Sequence, residues 1–380
     1  MRRTRFSASA KALAVGASAL VGATPLWWAA SPDGSGGSGP RSAPTATSAN
    51  SAVGEGDFPD PPASSLLHTD VLSVTDADRH GEVWYLLDQT QYKVHRIGLT
   101  GEHLGSFGTP GEGPGEFRHP QALAVHGDTI VVADWNIIHL FAPDGRHLTD
   151  RPFAVTDCPG PMPTVREMVS VSSGLALLVE CVGSSAGARS LVWLVATDGR
   201  SRTLASAPPD DESRSLVFDF NSIPVLGFHP GGFLFGNVRD DCLSLFGPDG
   251  LRLESVCHRD LERAALPPEL AEQYAREAEE VRRYARQRGL GARVVPVEQL
   301  WPFAKVFVTS DQRVGYVVPV PSSLAPNGDV GLHRLRIRRD SAWDDGAIGV
   351  SATDLCVAGR WVLAVWEDLR GTRLEVYEVS

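Results

Sequence analysis

Residues 105–120 read GSFGTPGEGPGEFRHP, a stretch in which five glycines and three prolines prevent any regular element. Three short apolar segments follow it, at Ala122–Val125, Thr129–Asp134 and Ile137–Phe141, and a Pro-Asp-Gly turn at 143–145 closes the last one. Runs this short, bounded by turn residues, are typical of β-strands. Pro-Asp-Gly supplies the backbone angles that a tight hairpin needs. The order predicts one unit of a radial β-architecture, in which a glycine-rich crossing leads into consecutive antiparallel strands.

The same turn returns along the chain. The glycines of Thr-Gly and Asp-Gly turns stand at positions 101, 145, 199 and 250, which are 44, 54 and 51 residues apart. Two short apolar segments precede each turn, as Val83–Leu87 and Val94–Ile97 precede Gly101. This spacing fits the four-stranded blades of a β-propeller.

Two further units are predicted downstream, and the first strand of the ring is predicted far upstream. The segments of the fifth and sixth units are Phe303–Val308, Val314–Val318, Leu332–Ile337, Gly349–Leu355, Trp361–Trp366 and Arg373–Tyr377. The sixth unit lacks a fourth strand, and Ser65–Thr69 can supply it, because ring closure removes a free sheet edge. We therefore expect an all-β fold over residues 64–380, a six-bladed β-propeller closed by an N-terminal strand.

One insertion interrupts the repeats. Residues 266–289 begin with prolines, carry Glu269 and Glu272 in the first turn, and end with Arg286 and Arg288 before a glycine. Apolar residues recur within the segment at three- and four-residue steps. The pattern predicts an amphipathic helix between blades four and five, either packed on the propeller rim or docking a partner.

The unit around residues 105–145 resembles the NHL repeat, and residues 64–380 as a whole resemble exported bacterial six-bladed propeller proteins. The helix after the fourth blade and the segment WPFAKVFVTSD, residues 301–311, add to the second resemblance. Propellers of this kind include ligand binders, scaffolds, lyases and lactonases, so the resemblance implies the fold and leaves the function open.

The N-terminus is predicted to direct export. Residues 1–30 hold four basic residues, no acidic residue and a mildly apolar core, which is the pattern of a signal peptide; an uncleaved membrane anchor is the alternative. Residues 31–63 are rich in Ser, Gly, Pro and Ala and read as a disordered linker. We expect a periplasmic or extracellular monomer. The net charge of -11 becomes -11 - 4 = -15 without residues 1–30, which argues against a nucleic-acid partner.

The five cysteines are consistent with an oxidising compartment. Cys242 and Cys257 flank the Pro-Asp-Gly hairpin at 248–250. With Asp249 and Gly250 as its two loop residues, 248 pairs with 251 and Cys242 faces Cys257, so a disulfide is expected. Cys158 and Cys181 are a second candidate pair on the third blade, and Cys356 is expected to be a buried core thiol.

Propeller topology predicts where a site would lie. The loops between blades and the loops joining second to third strands emerge on one face, around the mouth of the central channel. The candidate binding residues on that face are Arg118, His119, Trp135, Asn136, Glu180, Arg239, Asp240, Trp301 and Glu367. By contrast, Asp88 and Asp134 end the second strands of consecutive units, and a residue repeated in register is expected to be structural.

The first functional hypothesis is a non-enzymatic propeller that binds a protein or a small molecule through this channel-mouth face. No serine-nucleophile or zinc-protease motif occurs, and the eleven histidines show no linear ligand spacing, so no cofactor and no metal are expected. The alternative is a metal-dependent lactonase or lyase that uses the same face, with Ca²⁺ in the channel held by residues such as Glu180, Asn136 and Asp240.

Overall fold

Six antiparallel sheets, five with four strands and one with a fifth strand added, form a ring in the structure, which is a computed structural model. The described residues are 66–68, 71–155, 158, 163–182, 188–196, 200–206, 215–219, 223–238, 240–259, 261, 263, 265–266, 268–287, 291–295, 299, 303, 305–309, 311–320, 331–339, 342–344, 349–352, 354–359, 361–368 and 371–378. The expected export signal, residues 1–30, and the expected linker, residues 31–63, lie outside them.

The first three blades follow an N-terminal strand, and each blade runs from its innermost to its outermost strand. The strands are β1 (Leu66–His68); β2 (Asp76–His80), β3 (Val83–Asp88), β4 (Lys93–Gly98) and β5 (His103–Phe107) in blade 1; β6 (Pro120–His126), β7 (Thr129–Asp134), β8 (Ile137–Phe141) and β9 (His147–Pro152) in blade 2; and β10 (Pro163–Val171), β11 (Gly174–Val182), β12 (Ala188–Ala196) and β13 (Ser201–Ser206) in blade 3.

The second half of the ring contains the insertion. Its elements are β14 (Ser215–Asp219); β15 (Pro224–His229), β16 (Gly232–Asn237), β17 (Cys242–Phe246) and β18 (Arg252–Cys257) in blade 4; the helix α1 (Pro268–Gln287) and β19 (Gly291–Val295); β20 (Lys305–Val308), β21 (Val314–Val320), β22 (Gly331–Arg339) and β23 (Ala342–Asp344) in blade 5; β24 (Gly349–Ala352); and β25 (Asp354–Ala358), β26 (Trp361–Asp368) and β27 (Gly371–Glu378) in blade 6.

The ring closes as the sequence predicts. Successive inner strands lie side by side from β2 through β6, β10, β15 and β20 to β25, and β25 returns to β2. In blade 6 the order is β25, β26, β27, β1, so the N-terminal strand is the outermost member of the last blade. Leu66 pairs with Leu374, and the two strands are antiparallel. The sixth blade is thus built from both ends of the described chain.

The core lies between the blades, because each sheet presents two apolar faces to its neighbours. The second strands β3 and β7 are nearly continuous apolar runs and are buried along almost their whole length, whereas the outermost strands β5 and β9 are largely exposed. Between blades 1 and 2, the buried Phe117 of the glycine-rich segment packs with Tyr85, Leu87 and Phe141. That segment therefore connects blades 1 and 2 and also fills the core between them with the side chain of Phe117.

The predicted hairpin turns are present, with one more loop residue than expected. In the turn at 143–145, the Gly145 amide donates to the Ala142 carbonyl at 2.9 Å, and Gly145 has φ +91°. A Cβ at this position would lie 2.7 Å from the Phe107 ring, so both the backbone angle and the space require glycine. The turns at Gly101 and Gly250 repeat this geometry, and residues 197–199 lie outside the described part.

The disulfide prediction is confirmed, although the predicted turn register is wrong. Gly247 and Leu251 close a three-residue loop around the 248–250 turn, where a two-residue loop is expected from sequence. A β-bulge between Leu245 and Phe246 compensates for the extra residue, so Cys242 still faces Cys257. The disulfides Cys242–Cys257 and Cys158–Cys181 both form, and Cys356 is buried in the core between blades 6 and 1.

One predicted strand needs correction, and the predicted helix has a neighbour that the sequence does not indicate. The sequence assigns Gly349–Leu355 to the first strand of the sixth unit, but β24 within that range pairs with β22 of blade 5, and the inner strand of blade 6 is β25. The helix α1 is confirmed, but its partner is β19, which forms a parallel pair with β14. The chain thus builds a small unit of two strands and a helix outside the ring, which buries Tyr274 and Ala278. Among the described residues, no helix is both long and apolar enough to span a bilayer.

Candidate functional site

The channel mouth at blade 2 is organised by Asp134, the last residue of β7. Its carboxylate accepts the amides of Arg118 and His119, both at 2.6 Å, and so ties the blade-to-blade crossing to the turn between β7 and β8. Asp88 of blade 1 accepts the amides of Leu72 at 2.8 Å and Ser73 at 3.2 Å in the same way. Both aspartates are buried, and the structural role expected for them is confirmed.

The crossing and the turn bring three of the candidate residues together. The His119 and Trp135 rings lie 6.3 Å apart, centroid to centroid. Trp135 is 37% exposed and has φ +52°, a left-handed conformation that a bulky residue adopts only when its surroundings impose it. Arg118 is exposed, and its guanidinium is 3.1 Å from Glu112. Blade 2 therefore presents a fixed aromatic pair and a cation at the mouth.

The other candidates are distributed differently. Glu180 at the end of β11 accepts a hydrogen bond from Arg166 Nε at 2.7 Å, and both side chains are mostly covered. Asn136 and Asp240 are exposed on their turns. Glu367 lies near the end of β26. Arg239 and Trp301 lie outside the described residues, so the structure places neither.

The channel wall holds polar residues that the loop-based prediction does not include. The β6 amides of Leu123 and Val125 donate to the carboxylates of Asp76 and Asp78 on β2, both at 2.7 Å. The outer edge of β6 pairs with β7, so these amides belong to its channel-side edge. The two carboxylates therefore lie on the channel wall.

The same bridge recurs around the ring. The Val165 amide donates to Gln121 Oε1 at 3.0 Å, and the Leu226 amide donates to Glu167 Oε2 at 3.3 Å. A side chain of one inner strand thus satisfies a free amide of the next, from blade 1 to 2, 2 to 3 and 3 to 4. The inner strands are sheet edges, so their channel-side amides have no partner within the sheet. These side-chain acceptors remove the free-energy cost of leaving such amides without a hydrogen bond.

Three charges from alternate blades interact across the channel: Asp76 of blade 1, Glu167 of blade 3 and Lys305 of blade 5. Burial raises the pKa of Asp76 to about 7, and the negative charges of Glu167 and Asp78 add to the rise, while the Leu123 amide and Lys305 oppose it. Burial likewise raises the pKa of Asp78 to about 6 and raises that of Glu167. These side chains keep partial contact with the channel interior, so the penalty is smaller than in the core.

Three carboxylates, Asp76, Asp78 and Glu167, and the ammonium of Lys305 thus form a group of interacting charges on the wall. Its signal in the sequence is the alternation Asp76-Ala77-Asp78 just before the apolar segment Val83–Leu87, since every second side chain of a strand shares one face. The prediction of candidate residues from the channel-mouth loops does not include these carboxylates, because it considers only residues between strands.

The fit to Ca²⁺ is poor at this point. Calcium takes six to eight oxygen ligands. Each of the three wall carboxylates already accepts a backbone amide, and Lys305 interacts with two of them. The Lys305 ammonium repels a divalent ion more strongly than a singly charged group, so the wall suits a singly charged group that donates hydrogen bonds better than a bare divalent ion.

No protein-family model matches this sequence, and no curated protein is detectably similar to it. Solved structures share its fold. A member of the DUF4221 family from Bacteroides vulgatus has a TM-score of 0.54 at 9% identity, over 83% of this chain and 97% of that one. An exported protein from Bacteroides fragilis has a TM-score of 0.50 at 10% identity, over 85% and 98%. Regucalcin from Agrobacterium tumefaciens, a calcium-binding protein, has 0.45 at 12%, over 84% and 96%.

Identities this low show a common fold and carry no function across. The DUF4221 member and the Bacteroides fragilis protein share the fold of this chain, and the resemblance of residues 105–145 to the NHL repeat stays a prediction.

Proposed function

We propose that this chain is an exported, non-enzymatic binding protein whose propeller receives a cationic group, an amine or a guanidinium, in the mouth of its channel. The observation that carries the proposal is a group of three carboxylates on the channel wall. Asp78 and Glu167 interact with Asp76, and Lys305 interacts with Asp76 and Glu167. Burying uncompensated carboxylates is unfavourable, and a bound cation offsets that penalty.

The mouth supports the same proposal. An amine-bearing ligand that enters beside blade 2 passes the His119–Trp135 pair, and aromatic faces attract cations. Trp135 is already held in its exposed position, so little ordering entropy is lost when a ligand contacts it. Arg118, Asn136 and Asp240 are the further loop residues that we propose for contact with the body of the ligand.

Export is part of the proposal. Two disulfides in one chain are typical of proteins that fold in an oxidising compartment, and the basic, then apolar N-terminus is typical of an export signal. The cationic group can belong to a small molecule or to a Lys or Arg side chain of a partner protein, since the wall chemistry is the same for both.

Calorimetric titration of the full chain at pH 8 tests the proposal, with cadaverine, agmatine and a short lysine-containing peptide as cationic probes and glutarate as the anionic control. We expect at least one cationic probe to bind and glutarate not to bind. The Asp76→Asn/Glu167→Gln variant should weaken binding about tenfold or more, because each lost charge pair is worth roughly 1–3 kcal/mol. Arg118→Ala should leave the melting temperature nearly unchanged, since surface ion pairs contribute little.

The arms of this experiment separate the alternatives. Preference for the peptide indicates a partner protein, and preference for cadaverine or agmatine indicates a small molecule. Ca²⁺ binding that depends on Asp76 and excludes the amines would replace the proposal with the metal-dependent lactonase or lyase. Equal binding of a probe to wild type and to the double variant would refute the channel as the site.

A further inference from the structure

The first two blades share a histidine arrangement that the channel does not use. His95 on β4 and His103 on β5 in blade 1 correspond to His139 on β8 and His147 on β9 in blade 2, with the same eight-residue separation. The strand-end aspartate stands behind the buried histidine of each pair. Asp88 is 3.6 Å from His95 Nε2, and Asp134 is 3.4 Å from His139 Nε2. The eight-residue separation matches no linear metal-ligand motif, and each pair comes together only across a hairpin.

Blade 2 adds a third ligand to its pair. Asp150 faces His139 across the β8–β9 ladder, and its Oδ1 lies 2.7 Å from His139 Nδ1 and 2.7 Å from His147 Nε2. One ligand atom from each of the three residues falls within 4.8 Å of the others. In blade 1, where His95 Nδ1 and His103 Nε2 are 3.4 Å apart, the position that corresponds to Asp150 is Ser106.

The glycine-rich segment shapes this cluster. Phe117 packs edge-on against His139 with ring centroids 5.3 Å apart, and a Cβ on Gly115 would lie 3.1 Å from the His147 side chain. Glycine at 115, with φ +74°, therefore leaves room for the His147 ring. His139 is buried, whereas the side chains of His147 and Asp150 are 24% and 31% exposed. An ion can reach the cluster from solvent and keep one position open to water.

We propose that His139, His147 and Asp150 bind a divalent metal ion, and that Zn²⁺ is the ion this set suits best. Two imidazoles and one carboxylate are a ligand set that zinc accepts in tetrahedral sites with a fourth, open position. Asp134 is the positioning residue: its carboxylate faces Nε2 of His139, which leaves Nδ1 free to coordinate.

The test uses the full chain, purified without a polyhistidine tag and stripped with a chelator. Titration with Zn²⁺ against a chromophoric competitor at pH 7.5 should give one tight site per chain, and Co²⁺ should give the visible absorption bands of a tetrahedral nitrogen–oxygen site. His147→Ala and Asp150→Asn change partly exposed residues and should weaken Zn²⁺ binding by about 100-fold. Asp134→Asn should weaken it by about tenfold.

His103→Ala is the matched control, since it removes the corresponding histidine from the blade without a third ligand, and it should leave Zn²⁺ affinity unchanged. Circular dichroism and melting curves of each variant establish that the fold is intact. The proposal is overturned if the chain binds no Zn²⁺ tighter than about 10 μM, or if His103→Ala and His147→Ala reduce the affinity equally. Loss of binding in a variant that remains folded, with His103→Ala unaffected, supports it.

Discussion

At the scale of single residues, position in the blade decides what an aspartate does. Asp88 and Asp134 end second strands, where several donors converge on each carboxylate. Burial alone would raise the pKa of either, but these donors outweigh burial and lower it. Asp76, on an inner strand, receives two backbone amides and faces like charges, so burial prevails and its pKa rises to about 7. An aspartate at the end of a second strand is thus a structural hydrogen-bond acceptor, whereas Asp76 on an inner strand can be protonated.

Asp88→Ala is expected to reduce the free energy of unfolding by about 2–4 kcal/mol at pH 7, because it removes a buried carboxylate that accepts the amides of Leu72 and Ser73. The folded-state pKa of Asp88 is below its ordinary value of 3.8, so its contribution is present above that pH and is lost as the pH falls further. Urea denaturation at pH 7 and pH 3 should show the gap between variant and wild type closing. Asp128→Ala, at an exposed carboxylate, should change stability by less than about 1 kcal/mol at pH 7.

Asp76→Asn should have the opposite pH dependence. Folded wild type retains a proton up to about pH 7 that the unfolded chain releases near 3.8, so wild type loses stability as the pH rises through this interval. Asparagine keeps an acceptor for the Leu123 amide and does not titrate. The stability of the variant relative to wild type should therefore rise by about 1–3 kcal/mol between pH 4 and pH 8.

Urea denaturation across that range measures the difference. Gln121→Ala removes a channel-wall acceptor without a titrating group, so its difference from wild type should stay constant with pH. A flat profile for Asp76→Asn as well would show that Asp76 is ionised throughout and would contradict the raised pKa.

Among the secondary-structure elements, the hairpins are predictable from sequence in their position but not in their loop length. Asp-Gly spacing locates the turns, and apolar runs such as Thr129–Asp134 locate the strands, since both signals are local. Loop length is less accessible: the Pro248–Gly250 turn has three loop residues, and the facing of Cys242 and Cys257 is restored only by a bulge. A bulge depends on how the sheet twists against its neighbours, and a linear pattern does not contain that information.

The Cys242→Ser/Cys257→Ser variant is expected to lose about 2–4 kcal/mol of stability, given that the disulfide joins residues 15 apart. Denaturation of the two proteins under non-reducing conditions gives the difference. Peptide mapping without reduction should recover the two cysteines in one cross-linked fragment. Two free thiols in protein isolated from an oxidising compartment would contradict the facing register.

At the scale of the whole molecule, closure of the ring depends on β1. The sequence predicts this from the short sixth unit alone, because a missing strand is evident once the repeat is counted. The convergence of Asp76, Glu167 and Lys305 is not predictable in the same way, as it requires the three-fold spacing of alternate blades around an axis. The helix α1 is predicted from the sequence, but the parallel pairing of β14 with β19 beside it is not, because that pair joins segments on either side of blade 4.

A chain that begins at Val71 should melt roughly 5–10 °C or more below the full chain, because it exposes the outer edge of β27 and loses several kcal/mol of pairing. The matched control begins at Ser64, which removes the expected signal and linker and keeps β1. It should melt like the full chain. Differential scanning calorimetry compares the three proteins, and equal melting of the Val71 chain would show that β1 does not hold the ring.

The pairing of β1 with β27 also sets an order of events in biosynthesis. The strand that leaves the ribosome ahead of all the blades must wait for a partner about 300 residues later. Until β27 arrives, five blades can collapse on one another while the sixth remains open, and joining such distant segments is slow. During that interval both unpaired edges are exposed to other nascent chains. A chaperone that shields strand edges would therefore act on this protein late, after its last strand is released and before the ring closes.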